Sequence, residues 1–206
     1  MQVKAIQVGD LGVNCYIVSC QETKECIIID PGAEADLIIK FLESESLTVK
    51  AIVNTHGHAD HIGANSVLKK YTLAPIMIGA FDQEMLTDPK LNLSVYIEKQ
   101  IISDEADQLL NDGDIIRFGK VNLTVLHTPG HTRGGICLAG ENVVFTGDTL
   151  FNQSIGRTDF PGGSMPDIIN SINSKLMCLS DDVKVLPGHG PASLIGFERQ
   201  KNPFLN

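Results

Sequence analysis

The chain of 206 residues contains no tryptophan, and aromatic residues make up only 5 % of it. It has no apolar run near the roughly 20 residues that a membrane-spanning helix needs, so we expect no membrane partner. Its first residues, M-Q-V-K-A-I-Q-V-G-D, lack the apolar stretch and the cleavage site of a signal peptide. These absences predict a protein that stays in the cytoplasm.

Basic residues are scarce. The 16 lysines and arginines face 25 aspartates and glutamates, which gives a formal net charge of −9, and the only basic cluster is the pair Lys69–Lys70. A nucleic-acid-binding protein normally carries a basic face, so the sequence predicts no DNA or RNA partner. A small anionic substrate stays open, because a few local cations or metal ions can override the overall charge.

The cysteines do not form a recognisable framework. They lie at positions 15, 20, 26, 137 and 178. Their number is odd and no C-x-x-C is present, which favours reduced thiols over disulfides or a cysteine metal site. We expect several of them to be buried on strands.

The chain shows no internal repeat and no linker, and its length suits one domain, predicted over residues 1–206. Apolar patterning predicts strands at 13–19, 25–29, 51–53, 74–78, 121–127, 135–139, 142–146 and 183–186. It predicts helices at 34–46, 62–71, 81–86 and 165–178 and a short one from about 196. Many strands follow one another without a helix, which favours a mixed, layered α/β fold over a doubly wound parallel sheet.

Three of the six histidines fall in one short stretch, N-T-H-G-H-A-D-H-I-G at 54–63. A solvated polar turn is the simpler interpretation. However, His56 and His58 follow a predicted strand, and extended backbone sends side chains two positions apart to the same side. Gly57 between them allows either a close backbone approach or an unusual φ. Asp60 and His61 stand at the start of a predicted helix, where they can face a second ion.

One loop cannot complete two metal sites, and further ligand types follow other predicted strands. His131, Asp148 and His189 each come shortly after a strand and next to a glycine. Loops at strand ends carry functional side chains on a rigid frame, so these three are the best candidates. A single histidine near a turn is more often solvated, and we keep that interpretation for His127, which we expect to face away.

Five short motifs together resemble the metallo-β-lactamase superfamily. T-H-G-H-A-D-H at 55–61 is similar to its H-x-H-x-D-H signature, and I-D-P-G at 29–32 to its first motif. T-P-G-H-T at 128–132, G-D-T-L-F at 147–151 and G-H-G-P at 188–191 are similar to the later ones. Their order and spacing match from about residue 12 to the C-terminus. Within the superfamily the chain looks most like the glyoxalase II (hydroxyacylglutathione hydrolase) group in a short, single-domain form.

The resemblance implies an αββα sandwich of two mixed β-sheets flanked by helices. It implies that His56, His58 and His131 hold one metal ion, that Asp60, His61 and His189 hold a second, and that Asp148 bridges them. Asp30 matches a position that supports the histidine loop, although a simple turn before Pro31–Gly32 explains it equally well.

Histidine and carboxylate ligands without cysteine suit Zn²⁺, and also Fe²⁺ or Mn²⁺. Two such ions about 3.5–4 Å apart activate a shared water as the nucleophile, which Asp60 orients. A thioester such as S-lactoylglutathione suits this site, because a thiolate leaves without strong acid catalysis. The expected activity is therefore thioester hydrolysis on a small molecule.

The chain departs from full-length glyoxalase II at its end, where 17 residues follow His189 and leave no room for the glutathione-binding helical domain. In the loop at 154–164, Arg157 can clamp a substrate carboxylate or simply pair with Asp159, and the pair is slightly favoured.

The string G-R-T-D-F also resembles persulfide dioxygenases, which use a single iron and O₂. A non-catalytic metal-binding module is less favoured because all seven ligand positions are intact, and Asp148 together with the missing export signal disfavours a β-lactamase. The oligomeric state is not predicted.

Overall fold

Two six-stranded mixed sheets lie face to face, with helices on the outer face of each. The structure is a computed structural model that describes residues 1–97 and 99–205. The first sheet contains β1 (Gln2–Val8), β2 (Val13–Ser19), β3 (Glu25–Ile29), β4 (Thr48–Asn54), β5 (Ile76–Gly79) and β6 (Gln108–Leu110), side by side in that order. Pairing is antiparallel from β1 to β3 and parallel from β3 to β6.

The second sheet is built mostly from the later part of the chain. Its strands are β7 (Ile115–Phe118), β8 (Val121–His127), β9 (Ile136–Ala139), β10 (Val143–Gly147), β13 (Lys184–Pro187) and β14 (Ser193–Leu194). Only β10 and β13 pair in parallel. A small hairpin of β11 (Leu150–Phe151) and β12 (Ser154–Ile155) follows β10.

The helices are short. They are α1 (Ala35–Ser44), α2 (Ala59–Ile62), α3 (Asn65–Thr72), α4 (Met165–Ser171) and α5 (Ile195–Lys201), with 3₁₀ helices at Ala80–Leu86 and Ser94–Tyr96. A π-helical turn, Ile172–Leu176, extends α4. No helix in the described ranges is long and apolar enough to cross a membrane.

Strands buried on both faces explain the continuous apolar runs of the sequence. In β3, Ile27 and Ile29 pack between the sheets, whereas Cys26 and Ile28 pack outward against α1 and α3. In β10, Phe145 faces the other sheet and Val144 faces α4. Three apolar layers therefore separate four layers of secondary structure, and the predicted αββα sandwich is confirmed.

Most predicted elements are present, with shifts at their ends. The helix predicted at 62–71 is α3, which begins at Asn65, and the short helix α2 before it was not predicted. The helix predicted at 81–86 is 3₁₀, and the one at 165–178 continues beyond Ser171 as a π turn. The short strands β6, β7 and β14 were not predicted, because two to four residues give too little alternation to recognise.

The cysteines fit the prediction of free thiols. All five are unpaired in the described structure. Cys15, Cys26 and Cys137 lie buried on strands, and burial raises the pKa of each thiol.

Candidate metal centre

The loop after β4 carries four of the predicted ligands, and Gly57 lets it fold tightly. A Cβ at Gly57 would lie 2.4 Å from Met85 Cβ, in the 3₁₀ helix Ala80–Leu86. The φ of Gly57 is not in the left-handed region. Close approach, rather than an unusual φ, is therefore the reason for glycine between the two histidines.

His56, His58 and His131, called here the histidine triad, bring one ring nitrogen each within 4.8 Å of one another. His131 Nε2 lies 2.9 Å from His58 Nδ1. Burial, reinforced by the neighbouring histidines, lowers the pKa of His56 well below its ordinary value. Burial and His131 lower that of His58 to about 3. All three face one point, and His56 and His58 do so as neutral imidazoles, the form that binds a metal ion.

Asp60, His61 and His189, called the mixed triad, form a second group within the same limit. His189 Nε2 lies 3.2 Å from Asp60 Oδ2 and 3.3 Å from His61 Nε2. Burial alone would lower the pKa of His61, but the carboxylates around it raise that pKa to about 10. Burial opposes ionisation of Asp60 too, yet His61 and His189 bring its pKa below the ordinary value.

Asp148 lies between the two triads. Its Oδ2 is 3.6 Å from His131 Nε2 and 3.7 Å from His189 Nε2, and its Oδ1 is 3.5 Å from His61 Nε2. A Cβ at Gly188 would lie only 2.4 Å from Asp148 Oδ1, so glycine is needed before His189. The structure thus gathers all seven predicted ligands around one centre.

Each outer ring nitrogen of four histidines contacts an oxygen that orients the ring. His56 Nδ1 lies 3.2 Å from Thr55 Oγ1, His61 Nδ1 3.1 Å from Asp30 Oδ2, His131 Nδ1 2.7 Å from the Arg157 carbonyl, and His189 Nδ1 3.1 Å from the Leu11 carbonyl. Such contacts fix the tautomer and turn Nε2 toward the centre.

Asp30 supports the histidine loop as well as forming a turn. Its φ of 51° places it in the left-handed region at the end of β3. Its Oδ1 accepts a hydrogen bond of 2.7 Å from the Thr55 backbone N–H, and its Oδ2 accepts one of 2.7 Å from Thr55 Oγ1. Both interpretations of Asp30 from the sequence therefore apply together.

The Arg157 guanidinium and the His127 ring both have partners outside the ligand cluster. The exposed Arg157 guanidinium donates to Asp159 at 3.0 and 2.7 Å and lies 4.1 Å above the Phe160 ring. This is the favoured of the two alternatives for Arg157. His127 Nε2 lies 2.9 Å from the Arg133 carbonyl, and none of the described donor groups includes it.

Sequence reasoning missed the residues that hold the His189 loop. Asn14, on β2, donates from Nδ2 to the carbonyls of Pro187 and Gly190 at 3.0 and 2.9 Å. The Tyr16 hydroxyl donates to the same Pro187 carbonyl at 2.7 Å. Nothing in the local sequence signals this contact, because the partners are about 170 residues apart.

The residues fit divalent metal ions. His56 Nε2 and Asp148 Oδ1 are buried without a hydrogen-bond partner among residues 1–97 and 99–205, and both face the centre. Buried polar atoms normally have partners, so these two are explained by a ligand. Nitrogen and carboxylate donors without thiolate suit Zn²⁺, Fe²⁺ or Mn²⁺.

Sequence comparison finds relatives along the full chain. The Mycobacterium leprae protein ML0493 is 39% identical over 215 residues, covering 100% of this chain and 99% of that protein. The hydroxyacylglutathione hydrolase GloC of Haemophilus influenzae is 36% identical, with 100% and 99% covered. The probable metallo-hydrolase YqgX of Bacillus subtilis is 34% identical, with 100% and 98% covered.

Solved structures resemble the whole fold. BLEG-1, described as a B3 metallo-β-lactamase, superposes with a TM-score of 0.95 at 38% identity, covering 100% of both chains. TTHA1623 in a di-iron-bound form gives 0.87 at 31%, covering 98% of this chain and 100% of that one. ETHE1 from Myxococcus xanthus gives 0.80 at 27%, covering 98% and 84%. The sequence profile of the Metallo-beta-lactamase superfamily matches residues 8–190, and this chain belongs to that superfamily.

Proposed function

We propose that this chain is a metal-dependent hydrolase that cleaves thioesters in the manner of glyoxalase II. The observation that carries the proposal is a complete mixed triad beside a complete histidine triad, with Asp148 between them. Two divalent ions, proposed to be Zn²⁺, would supply an activated water at neutral pH and polarise the substrate carbonyl. The remaining chemistry belongs to the side chains.

Asp60 is the proposed catalytic residue. In the metal-free protein, burial opposes ionisation of Asp60, but His61 and His189 bring its pKa below the ordinary value, and its Oδ2 faces both rings. An ionised oxygen at this place can accept a hydrogen bond from a reacting water and so orient it toward the substrate. His61 must release its proton before it can act as a ligand, because its neighbouring carboxylates otherwise hold it charged.

The thioester assignment follows from what the centre lacks and from one relative. Among the described residues, the groups of candidate ligands contain the seven side chains and no further His, Cys, Asp or Glu that would serve as a separate acid. A thiol has a pKa of about 8.5, so a thiolate leaves without prior protonation, whereas an amine or alkoxide does not. The H. influenzae relative named hydroxyacylglutathione hydrolase supports the same choice.

The test combines metal analysis with a substrate panel. The protein is loaded separately with Zn²⁺, Fe²⁺ and Mn²⁺, because the di-iron-bound form of TTHA1623 makes iron a candidate as well as zinc. We expect two ions per chain and a kcat/KM for S-lactoylglutathione or another thioester above about 10⁴ M⁻¹s⁻¹. Two bound ions without hydrolysis of any thioester would refute the assignment.

A second candidate is a persulfide dioxygenase with a single iron, which the loop G-R-T-D-F at 156–160 favours. It predicts one bound iron and O₂ uptake with glutathione persulfide. A β-lactam belongs in the same panel because of the likeness to BLEG-1. If neither candidate nor a thioester reacts while metal is bound, a non-catalytic metal-binding module remains.

A further inference from the structure

We propose that Asp82 is a positioning residue that sets the geometry of the histidine triad. This inference rests on the proposed metal centre, but not on the identity of the substrate. Asp82 lies in the 3₁₀ helix Ala80–Leu86, which has no metal-binding motif. It therefore acts on the triad through other residues and does not touch a ligand ring in the described contacts.

One carboxylate joins the two loops that carry the triad. Asp82 Oδ1 accepts a hydrogen bond of 2.6 Å from the Gly134 backbone N–H. Its Oδ2 accepts one of 2.6 Å from Thr132 Oγ1 and one of 3.3 Å from the Gly57 backbone N–H. Gly57 separates His56 from His58, and Thr132 follows His131. The side chain thus fixes the distance between the loops whose imidazoles must converge.

The carboxylate of Asp82 is buried, and its described hydrogen bonds come from uncharged donors. The side chain is 1 % exposed, and no lysine or arginine in the described ranges pairs with it. Burial raises its pKa, and the three donors offset this only in part. A buried carboxylate without a cation is costly for folding, so it is a poor choice for stability alone. Precise placement of two loops accounts for its presence.

The 3₁₀ helix packs closely against both loops. A Cβ at Gly134 would lie 2.4 Å from the Asp82 backbone nitrogen, and one at Gly57 would lie 2.4 Å from Met85 Cβ. Neither loop has room to move toward this helix. A loop that loses its hydrogen bond to Asp82 can therefore move only away from the helix, which would change the distance between the two loops.

The mixed triad is oriented by different groups. His61 contacts Asp30, and His189 contacts the Leu11 carbonyl. Asp82 has no described contact with either residue or with Asp60. Its influence is therefore expected to be selective for the ion in the histidine triad.

The principal variant is Asp82→Asn. The amide has the same shape but only one acceptor oxygen for three donors, so at least one loop N–H loses its partner. We expect one of the two Zn²⁺ ions to bind about 10- to 100-fold more weakly, measured by chelator competition, with the second affinity unchanged. The visible absorption of the Co²⁺-loaded protein should change in the bands of one ion only.

A second variant keeps the experiment decisive if Asp82→Asn does not fold. Thr132→Val preserves side-chain volume and removes only the hydroxyl donor to Asp82. It should weaken the same ion, by a smaller factor, whereas Thr132→Ser should restore the original affinity.

The matched control is Glu198→Gln. Glu198 is also buried and accepts hydrogen bonds from Gln153 N–H at 2.9 Å and Asn202 Nδ2 at 2.8 Å, but it contacts neither triad. It should lose thermal stability and keep both metal affinities. Unchanged affinities in Asp82→Asn and Thr132→Val, or an equal weakening of both ions, would overturn the proposal. Absence of thioesterase activity in a protein that still shows the selective weakening would refute only the proposed function.

Discussion

The histidine triad and the mixed triad share one loop but differ in charge. The former contains only imidazoles and is buried, and burial lowers the pKa of His56 and His58. The latter contains Asp60 and is partly open, with the side chain of His189 26% exposed. Three carboxylates raise the pKa of His61 to about 10. The two proposed ion positions therefore have different electrostatic surroundings.

This difference suggests different tasks for the two ions. In the proposed two-ion centre, the histidine triad contributes no charge of its own, so an ion held there would keep more of its positive charge for polarising a carbonyl. The mixed triad has an ionised oxygen beside its ion, which suits the orientation of water. In the proposed centre, an ion bound there would require His61 to be neutral, because a protonated imidazole cannot be a ligand. Asp148 is the side chain that both tasks share.

The largest effect should come from Asp148→Asn. The amide retains the shape but loses the charge that faces His61, His131 and His189. We expect thioester kcat/KM to fall by more than about 10²–10³-fold, together with weaker binding of both ions. Steady-state kinetics and metal analysis measure this. His127→Gln, a histidine outside both triads, should leave both readouts unchanged. Wild-type activity in Asp148→Asn would remove Asp148 from the centre.

The two triads can be separated with His58→Gln and His189→Gln. Each variant removes one ligand candidate from one triad. We expect each to retain one ion, and a single bound ion at 100 times its Kd stabilises the fold by about 2.7 kcal/mol. Zn²⁺ should therefore raise the melting temperature of either variant less than that of the unmodified protein. Loss of both ions in both variants would mean that the triads form one indivisible site.

A smaller effect tests the loop beside the triads. If Arg157 only pairs with Asp159, the variants Arg157→Met and Asp159→Asn should have the same small effect on kcat and on KM. If Arg157 also holds a substrate carboxylate, Arg157→Met alone should raise KM, by about 10-fold for one charge-assisted contact. A thioester without a carboxylate is the matched control, since it should not distinguish the variants. Equal KM for all three proteins would exclude the substrate contact.

The ligand candidates could be selected from the sequence because they belong to local motifs that follow strands. His56 and His58 share a loop, and His131, Asp148 and His189 each stand beside a glycine after a strand. The structure places them together as expected, and it explains Gly57 and Gly188 by close packing. Buried strands such as β3 and β10 were predictable because they appear as apolar runs, whereas the αββα order was predicted from the family resemblance.

Asn14, Thr55 and Asp82 were not predictable from local pattern. Asn14 and Asp82 each bind a ligand loop that lies far away in the sequence. Thr55 lies within a ligand loop, but threonine is common in ordinary turns and its contact with Asp30 gives no local signal. Hydrogen bonds of this kind depend on how the sheets pack, which periodicity does not encode. The four-residue helix α2 was also missed, because one turn gives too little periodicity to recognise.

The smallest effect provides a baseline from a carboxylate outside both triads. Asp107 accepts hydrogen bonds from Lys69 Nζ at 2.9 Å and from the Ile76 N–H at 2.8 Å, and these contacts lower its pKa from 3.8. A lowered folded-state pKa adds stability above pH about 4, and this stability is lost as pH falls through the folded pKa. Because the pair is largely exposed, the contribution is below about 1 kcal/mol.

In metal-free protein, Asp107→Asn should lower the melting temperature at pH 7 by less than about 4 °C. The difference in melting temperature between the two proteins should disappear once the pH falls below the folded-state pKa of Asp107. Thermal unfolding followed by circular dichroism from pH 7 downward measures it, with Lys69→Met as the matched partner variant. A difference that persists unchanged at low pH would show that Asp107 acts through shape rather than charge. The same pH scan on Asp148→Asn then compares the pH dependence of the melting temperature for a carboxylate at the centre with that for an exposed carboxylate. It therefore measures how strongly the charged surroundings of the two triads act on stability.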